Sequence, residues 1–242
     1  MSHRMRCGWM SVRVVGCAFS LVFALLLLSP LHLDAHLIVL DKPAGLLAVP
    51  GRGPDKLDCL WTQVRARFPD ALVVHRLDMA TSGLMVFARG ERAQRILSTA
   101  FADRAVDKRY VAIVAGKPEP ANTDDEGWAT IELPLAADWP ARPRQKVDAA
   151  SGRPSLTRWR IAREALRARE GGTRLELQPV TGRSHQLRVH LAAIGHPILG
   201  DALYAPGPIA GAAPRLLLHA QSLALAHPAD GRPLVWRCDA PF

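Results

Sequence analysis

Apolar and polar positions alternate over short distances along most of this chain, and only a few segments have helical spacing. Runs of apolar and β-branched residues predict eight strands. They are residues 37–40, 84–88, 109–115, 128–133, 156–162, 174–178, 223–226 and 234–237. Apolar residues three and four positions apart predict helices over 57–68, 91–101 and 185–194. Many strands with few helices predict an α+β fold with a large antiparallel or mixed sheet.

The first 35 residues differ from the rest. No Asp, Glu, Lys or Arg lies between Arg13 and Asp34, and the stretch from Val14 to Leu28 is continuously apolar or small. This profile is typical of a signal peptide or a membrane anchor. A start assigned too far upstream, an anchor and an export signal all stay open, and we favour the first. We therefore predict an N-terminal extension over 1–35, dispensable at least to residue 32, and one folded domain over 36–242.

The chain is basic, with 31 Lys plus Arg against 22 Asp plus Glu and a net charge of +9. Removal of residues 1–35 takes away three arginines and one aspartate, which leaves 28 basic against 21 acidic residues, or +7. A basic surface attracts phosphate in a salt-sensitive and sequence-independent way. The composition therefore agrees with a nucleic-acid partner without proving one.

Cysteine and histidine spacing gives no support for a metal site. Two of the four cysteines lie in the first 35 residues, and Cys59 and Cys238 have no metal-ligand spacing. His185 and His190 are five residues apart, which places them off a common helix face, and no paired cysteine or carboxylate completes a site. We expect no metal ion, reduced thiols, and histidines that hydrogen-bond around a cleft or the core.

The sequence HRLDMATSG at residues 75–83 is the first dense polar motif. It places Asp78 between an arginine and a Gly-terminated turn, directly before the apolar run 84–88. A buried strand that fixes its preceding loop can direct one side chain into a cleft. Asp, Thr and Ser side chains also brace turns, and local chemistry alone favours that structural role for Asp78.

Two further motifs shift this balance towards chemistry. TGRSHQLRVH at residues 181–190 is a glycine turn followed by a helical register, and Arg183 at the turn could pair with a carboxylate and keep it ionised. KRYVAIV at residues 108–114 predicts a strand that carries Tyr110, one of only two tyrosines in the chain. An aspartate, an arginine and a tyrosine thus stand at three junctions between loops and regular elements, and Asp78 becomes the candidate reactive group.

In order and spacing, these motifs resemble the RluA family of pseudouridine synthases. Further matching segments are LDKPAGL at 40–46, GHPILGD at 195–201 and LLLHA at 216–220, so the resemblance runs from about residue 36 to the C-terminus. It implies the pseudouridine synthase catalytic fold, a long central sheet with flanking helices and a central active-site cleft. It also implies that the S4 RNA-binding domain of the larger family members is missing.

The resemblance implies a cofactor-free isomerisation of uridine to pseudouridine in RNA. Asp78 matches the essential carboxylate, and both attack on the ribose carbon 1′ and removal of a carbon 2′ proton stay open. Arg183 matches the arginine that keeps this carboxylate charged, and Tyr110 the tyrosine that stacks on the uracil and takes the carbon 5 proton. The target base must leave its stack, and Arg76 matches the arginine that fills the vacated space.

Within the family, the segment Asp138–Val147 resembles that of dual-specificity members. This implies stem-loops of tRNA and 23S rRNA as partners, at uridine 32 and uridine 746, for a cytoplasmic and monomeric enzyme. Basic residues interleaved with a tryptophan predict an RNA-facing loop in this segment, and a merely solvated loop stays open as the alternative. The predicted RNA-binding residues are His75, Arg76, Trp139, Arg142, Arg144 and Lys146.

Two functions from other classes also stay open. A non-catalytic RNA-binding protein would keep the basic surface but would not need Asp78. A membrane-attached or secreted hydrolase would use Asp78 as a general acid and would need a second carboxylate nearby, for which Asp201 is the candidate.

Overall fold

The computed structural model describes residues 29–51, 53, 56–162 and 172–242, and its main feature is a sheet of ten strands. In chain order the strands are β1 (His32–Leu33), β2 (Leu37–Lys42), β3 (Ala71–Val73), β4 (Ser82–Arg89), β5 (Asp107–Val114), β6 (Ala129–Glu132), β7 (Leu135–Ala137), β8 (Gln145–Val147), β9 (Leu156–Ile161), β10 (Thr173–Pro179), β11 (Leu218–Ala226) and β12 (Pro233–Arg237). The helices are α1 (Leu60–Arg67), α2 (Gly90–Ala102), α3 (Gln186–Ala193) and α4 (Gly207–Ala210). Strands β7 and β8 form a separate two-stranded hairpin.

The order of strands in the main sheet is β1-β2-β4-β11-β5-β10-β9-β6, with β3 paired to β4 and β12 paired to β11. Neighbouring strands are antiparallel except for β4 and β11, which are parallel at the centre. Gly83 lies opposite Ala220 in this parallel pair. Its φ is +114°, and a Cβ would lie 2.4 Å from the Ala220 carbonyl oxygen, so only glycine fits. The strand that follows Asp78 is thereby fixed against β11.

Strand β4 is apolar at successive positions because helices cover both of its faces. Val86 packs in one core cluster with Leu97 of α2, and Phe87 packs in another with Val64 of α1. All four side chains are almost fully buried. A strand covered on both faces loses the usual alternation of apolar and polar residues, which explains the continuous run at 84–88.

The predicted α+β fold, with its mixed sheet and few helices, is confirmed. Each of the eight predicted strands and three predicted helices has an observed counterpart, although β11 begins five residues earlier than predicted. The elements that were missed are β1, β3, β7, β8 and α4, which have two to four residues each. Segments this short contain too few positions to show a period.

The sheet begins before residue 36, where the sequence placed the domain boundary. β1 pairs with β2, and the Asp34 carboxylate accepts hydrogen bonds from the backbone N–H groups of His36 and Leu37. A truncation meant to spare the domain should therefore stop before β1. The apolar stretch from Val14 to Leu28 lies outside the described residues. Within the described ranges, no helix is both long and apolar enough to cross a membrane.

Candidate active site

Asp78 lies in the turn between β3 and β4, and the backbone of this turn is held from two sides. The Asp78 carbonyl accepts a hydrogen bond from the Thr81 N–H at 3.1 Å. The next carbonyl, that of Met79, accepts one from the Gly45 N–H at 2.8 Å and one from Lys42 Nζ at 3.1 Å. The segment LDKPAGL thus anchors the turn that presents Asp78.

Lys42 is a fully buried cation that sequence reasoning did not single out. Its ammonium group donates to the carbonyls of Pro43 at 2.8 Å and Leu46 at 2.7 Å, in addition to Met79. Burial lowers the pKa of Lys42 to about 8, although the negative charge of Asp78 opposes the shift. Three carbonyl acceptors account for all three N–H donors of the ammonium group, so Lys42 holds the backbone of the Asp78 turn in place through Met79.

The Asp78 side chain is one quarter exposed and borders a cleft of about 300 Å³. Its Oδ2 lies 3.7 Å from Arg188 Nη1, and its Oδ1 lies 3.9 Å from His185 Nε2. Tyr110 lines the same cleft from β5. Asp78 thus faces the cleft with the Arg188 guanidinium and the His185 ring beside its two oxygens.

Arg188 is held in place by a second carboxylate. Its Nε and Nη2 atoms donate to the two oxygens of Asp201 at 2.8 and 2.6 Å, and both side chains are almost fully buried. Burial opposes the charge of Arg188, but the hydrogen bonds and the charge of Asp201 outweigh it and raise the pKa of Arg188. The bidentate pair leaves the remaining Nη1 directed at Asp78.

The predicted ion pair between Arg183 and Asp78 is replaced by the pair with Arg188. Arg183 directs Nε and Nη2 at the Pro154 carbonyl, both at 3.4 Å, and its N–H donates to Gln186 Oε1 at 3.0 Å. Helix α3 begins only after Arg183, so its first turn carries Arg188 and not Arg183 to the carboxylate. A buried arginine needs an acidic partner. The aspartate that ends the motif GHPILGD, Asp201, was the feature of the sequence that could have indicated this partner.

Tyr110, the predicted stacking residue, lines the wall of the same cleft as Asp78. Burial, and then the negative charge of Asp78, raise the pKa of Tyr110 well above its ordinary value. The phenol therefore stays protonated near neutral pH. It offers the cleft a ring face and a hydroxyl group, not a phenolate base.

His75 and Arg76 differ in what they present to the cleft. The His75 ring stacks on Phe101 with centroids 4.4 Å apart, and its Nε2 accepts the Val86 N–H at 3.0 Å. Burial, with a smaller effect of the Lys108 charge, lowers the pKa of His75 to about 3. His75 is thus a neutral bracing residue of the cleft wall. Arg76 is exposed and borders the cleft.

The β7–β8 hairpin carries the other predicted RNA-binding residues, three in its loop and Lys146 in β8. Trp139 is 66% exposed, and the Arg142 guanidinium carbon lies 3.3 Å from the centre of its ring. Lys146 is exposed and lies 3.3 Å from the Asp148 carboxylate. An exposed aromatic ring and exposed cations offer stacking and phosphate contacts.

The same hairpin is joined to the active site through Tyr204. The Gln145 N–H donates to Tyr204 Oη at 2.8 Å, and the Arg144 guanidinium carbon lies 5.5 Å from the Tyr204 ring centre. Tyr204 Oη also lies 2.7 Å from His185 Nδ1. Sequence reasoning noted Tyr204 only as the second tyrosine and assigned it no role.

A group of potential metal ligands forms where the sequence showed no metal-ligand spacing. Ligand atoms of Asp41, His219 and Cys238 all lie within 4.8 Å of one another, since β2, β11 and the C-terminal segment meet there. The His219 ring nitrogens already face Ser82 Oγ at 2.8 Å and the Cys238 carbonyl at 3.0 Å. A metal ion would have to displace one of these hydrogen bonds.

The RNA pseudouridylate synthase family profile matches residues 36–193, which span the turn of Asp78, Tyr110 and helix α3. The chain belongs to this family. It is accordingly an enzyme, an RNA pseudouridine synthase, and not a binding protein without a reaction. The hydrolase alternative loses its second carboxylate as well, because both oxygens of Asp201 are bound to Arg188.

Curated bacterial proteins that resemble this pseudouridine synthase share almost half of its residues. A protein of Yersinia pestis, named dual-specificity RNA pseudouridine synthase RluA, is 47% identical over 212 residues, which are 88% of this chain and 98% of the relative. A protein of Escherichia coli K12 with the same name is 46% identical over 212 residues, 88% of this chain and 93% of its own.

Two solved structures have the same fold. Human RNA pseudouridylate synthase domain containing 1 has a TM-score of 0.69 and 28% identity, over 88% of this chain and 84% of its own. Human RNA pseudouridylate synthase domain containing 4 has a TM-score of 0.68 and 26% identity, over 91% and 92% of the two chains. The resemblance to the pseudouridine synthase fold drawn from the sequence motifs is thus confirmed.

Proposed function

We propose that this RNA pseudouridine synthase has dual specificity and modifies uridine 32 in tRNA anticodon stem-loops and uridine 746 in 23S rRNA, acting as a monomer in the cytoplasm. The observation that carries the catalytic part is Asp78, a partly exposed carboxylate with Arg188 and His185 within 4 Å in one cleft. The names of the bacterial relatives, which match over 212 residues, support the dual specificity. Shared loop shape would let one cleft accept both RNAs.

In this proposal the target uridine leaves its stack and enters the cleft. Arg76, exposed at the border of the cleft, fills the vacated space with its planar guanidinium. Tyr110 stacks on the uracil. Arg183, which does not pair with Asp78, contacts the RNA backbone at the rim. The hairpin residues Trp139 and Arg142 contact the loop of the RNA.

Asp78 then acts on the ribose, either as a nucleophile at carbon 1′ or as a base at carbon 2′. The bond between N1 and carbon 1′ breaks, the uracil turns, and a bond forms between carbon 5 and carbon 1′. The proton leaves carbon 5 and N1 gains one, so no co-reactant is consumed. Arg188, whose Nη1 lies 3.7 Å from Asp78 Oδ2, stabilises negative charge on this carboxylate, and Tyr110, which lines the same cleft as a neutral phenol, relays the carbon 5 proton.

The test is a map of pseudouridine in tRNA and 23S rRNA from cells without the gene, complemented with the wild type or with Asp78→Asn. We expect both marks to be lost in the deletion, restored by the wild type and absent with Asp78→Asn. Asparagine keeps the shape of the side chain and removes its charge, so the folded variant is a matched control. Unchanged marks in the deletion would refute the substrate assignment. Restoration by Asp78→Asn would refute the role of the carboxylate.

A further inference from the structure

The hydroxyl oxygen of Tyr204 connects the β7–β8 hairpin to a neighbour of Asp78. It lies 2.7 Å from His185 Nδ1 and accepts the Gln145 N–H at 2.8 Å. We propose that Tyr204 is a positioning residue, which holds the proton of His185 on Nε2 and so directs an N–H donor at Asp78. The importance of this donor for catalysis rests on the role proposed above for Asp78.

The Tyr204 oxygen has hydrogen-bond partners on two sides. A phenol hydroxyl has one proton to donate and two lone pairs to accept with. The Gln145 N–H occupies one lone pair. When the hydroxyl donates its proton to His185 Nδ1, a neutral imidazole must carry its own proton on Nε2. That nitrogen is the one that lies 3.9 Å from Asp78 Oδ1.

The opposite tautomer is unfavourable at both ends of the ring. A proton on Nδ1 would turn that nitrogen into the donor and leave the Tyr204 proton to find another acceptor. It would also place the Nε2 lone pair opposite the Asp78 carboxylate, where two acceptors repel. Burial lowers the pKa of His185 against the attraction of Asp78, so the ring is neutral at physiological pH and its tautomer matters.

The residues around Tyr204 keep its hydroxyl fixed. The backbone N–H of Tyr204 donates to Asp201 Oδ1 at 3.2 Å, and the Arg188 guanidinium carbon lies 5.0 Å from the centre of the Tyr204 ring. His185 itself has a φ of +54°, a left-handed conformation that is uncommon for residues other than glycine. The turn that follows Gly200 therefore holds both neighbours of Asp78, Arg188 through Asp201 and His185 through Tyr204.

The first test measures the tautomer directly, by ¹⁵N NMR of the histidine rings in the full chain at pH 7.5. The His185 signals are assigned by their loss in His185→Gln. We expect the wild type to show a protonated Nε2 and a bare Nδ1, and Tyr204→Phe to gain a clear population of the Nδ1–H form. An Nδ1–H ring in the wild type, or an unchanged Nε2–H ring in Tyr204→Phe, overturns the proposal.

Arg144→Ala is the matched control for this measurement. It removes a cation from the Tyr204 ring but keeps the hydroxyl group and the Gln145 N–H. We expect the His185 tautomer to be unchanged in this variant. A shift as large as that of Tyr204→Phe would assign the effect to the hairpin and not to the hydroxyl, and would overturn the proposal.

The second test compares two amide side chains in place of His185. A glutamine side chain can place an N–H near the position of Nε2, whereas an asparagine side chain reaches only as far as Nδ1. Asparagine is the better residue for a left-handed backbone, so a purely conformational role predicts that His185→Asn is the more active variant. We expect the reverse, with kcat of His185→Gln several-fold above that of His185→Asn. A higher kcat for His185→Asn would overturn the positioning role.

Tyr204→Phe should lower kcat by about tenfold, the value of one well-placed hydrogen bond, with KM for a short stem-loop changed by less than about twofold. A larger change in KM than in kcat would show that the hydroxyl serves RNA binding and would overturn the positioning role. The tautomer is measured without substrate. If Asp78→Asn proved active, the NMR result would still stand, so the two proposals fail separately.

Discussion

The buried side of the cleft and the exposed hairpin are built by opposite means. Around Asp78, the charged groups Arg188 and Asp201 are buried and fully paired, and His185 is fixed by Tyr204. In the hairpin, Trp139 and Arg142 are exposed and contact mainly each other. The buried groups act in a low dielectric, where orientation decides their strength. The exposed groups keep their freedom to meet an RNA surface.

This difference separates reaction from recognition. A change on the buried side should lower stability and kcat together, because the same contacts support the fold and the carboxylate. A change in the hairpin should alter KM and its salt dependence and leave the fold intact. Substitutions on the two sides, and a change of pH, test this separation.

Arg188→Met should cause the largest loss of stability. The substitution leaves Asp201 as a buried carboxylate without its cationic partner, which typically costs about 3 to 5 kcal/mol. Urea denaturation at pH 7.5 measures this loss in the free energy of unfolding. The double variant Arg188→Met with Asp201→Asn should regain a large part of it, since the uncompensated charge is removed. A loss below about 1 kcal/mol in the single variant would mean that the pair behaves as a surface ion pair.

Mild acid should destabilise the buried side by a smaller amount. Burial lowers the pKa values of His75, His185, His190 and His219 in the folded protein. The unfolded chain therefore binds more protons once the pH falls below the ordinary histidine pKa of about 6.5. The stability that the neutral histidines contribute is fully present above about pH 6.5. It is lost as the pH falls towards their pKa values in the folded protein, by up to about 1.4 kcal/mol per pH unit for each histidine.

Urea denaturation at pH 7.5 and pH 5.5 should thus show a fall of roughly 2 to 4 kcal/mol in the free energy of unfolding. His75→Phe keeps an aromatic ring against Phe101 and removes one titrating group, so its stability should depend less on pH than that of the wild type. Equal stability at the two pH values would show that these rings are charged in the folded protein.

Arg142→Ala should weaken RNA binding without unfolding the protein. Loss of one phosphate or stacking contact corresponds to about 1 kcal/mol, a KM several-fold higher at unchanged kcat. The dependence of log KM on log salt should also become shallower by about one unit if the contact is to a phosphate. A reduced kcat with unchanged KM would place Arg142 on the catalytic side of the comparison.

Lys146→Ala should have the smallest effect. Its ammonium group is already near the Asp148 carboxylate, and exposed pairs of this kind contribute only about 0 to 1 kcal/mol. We expect the rise in KM to be smaller than that for Arg142→Ala in the same assay. A larger rise would make Lys146 the principal cation of the hairpin.

The sequence predicted those parts of the molecule that depend on neighbours along the chain. The continuous apolar run at 84–88 gave β4, and the polar motif before it gave Asp78. Local sequence could not choose between Arg183 and Arg188, because the choice depends on where helix α3 begins and on Asp201, which lies elsewhere in the chain. Lys42 escaped notice for the same reason, since its acceptors are backbone carbonyls that any residue supplies.

The position of β11 between β4 and β5 has a consequence for folding during synthesis on the ribosome. One half of the sheet carries Asp78, the other carries Tyr110 and supports Arg188, and within the main sheet β11 joins the two. Because β11 begins at Leu218, residues 218–226 must have left the ribosome before this strand can insert between β4 and β5. A nascent chain that still lacks β11 therefore cannot join the two halves of the sheet, and we expect it to be inactive on RNA.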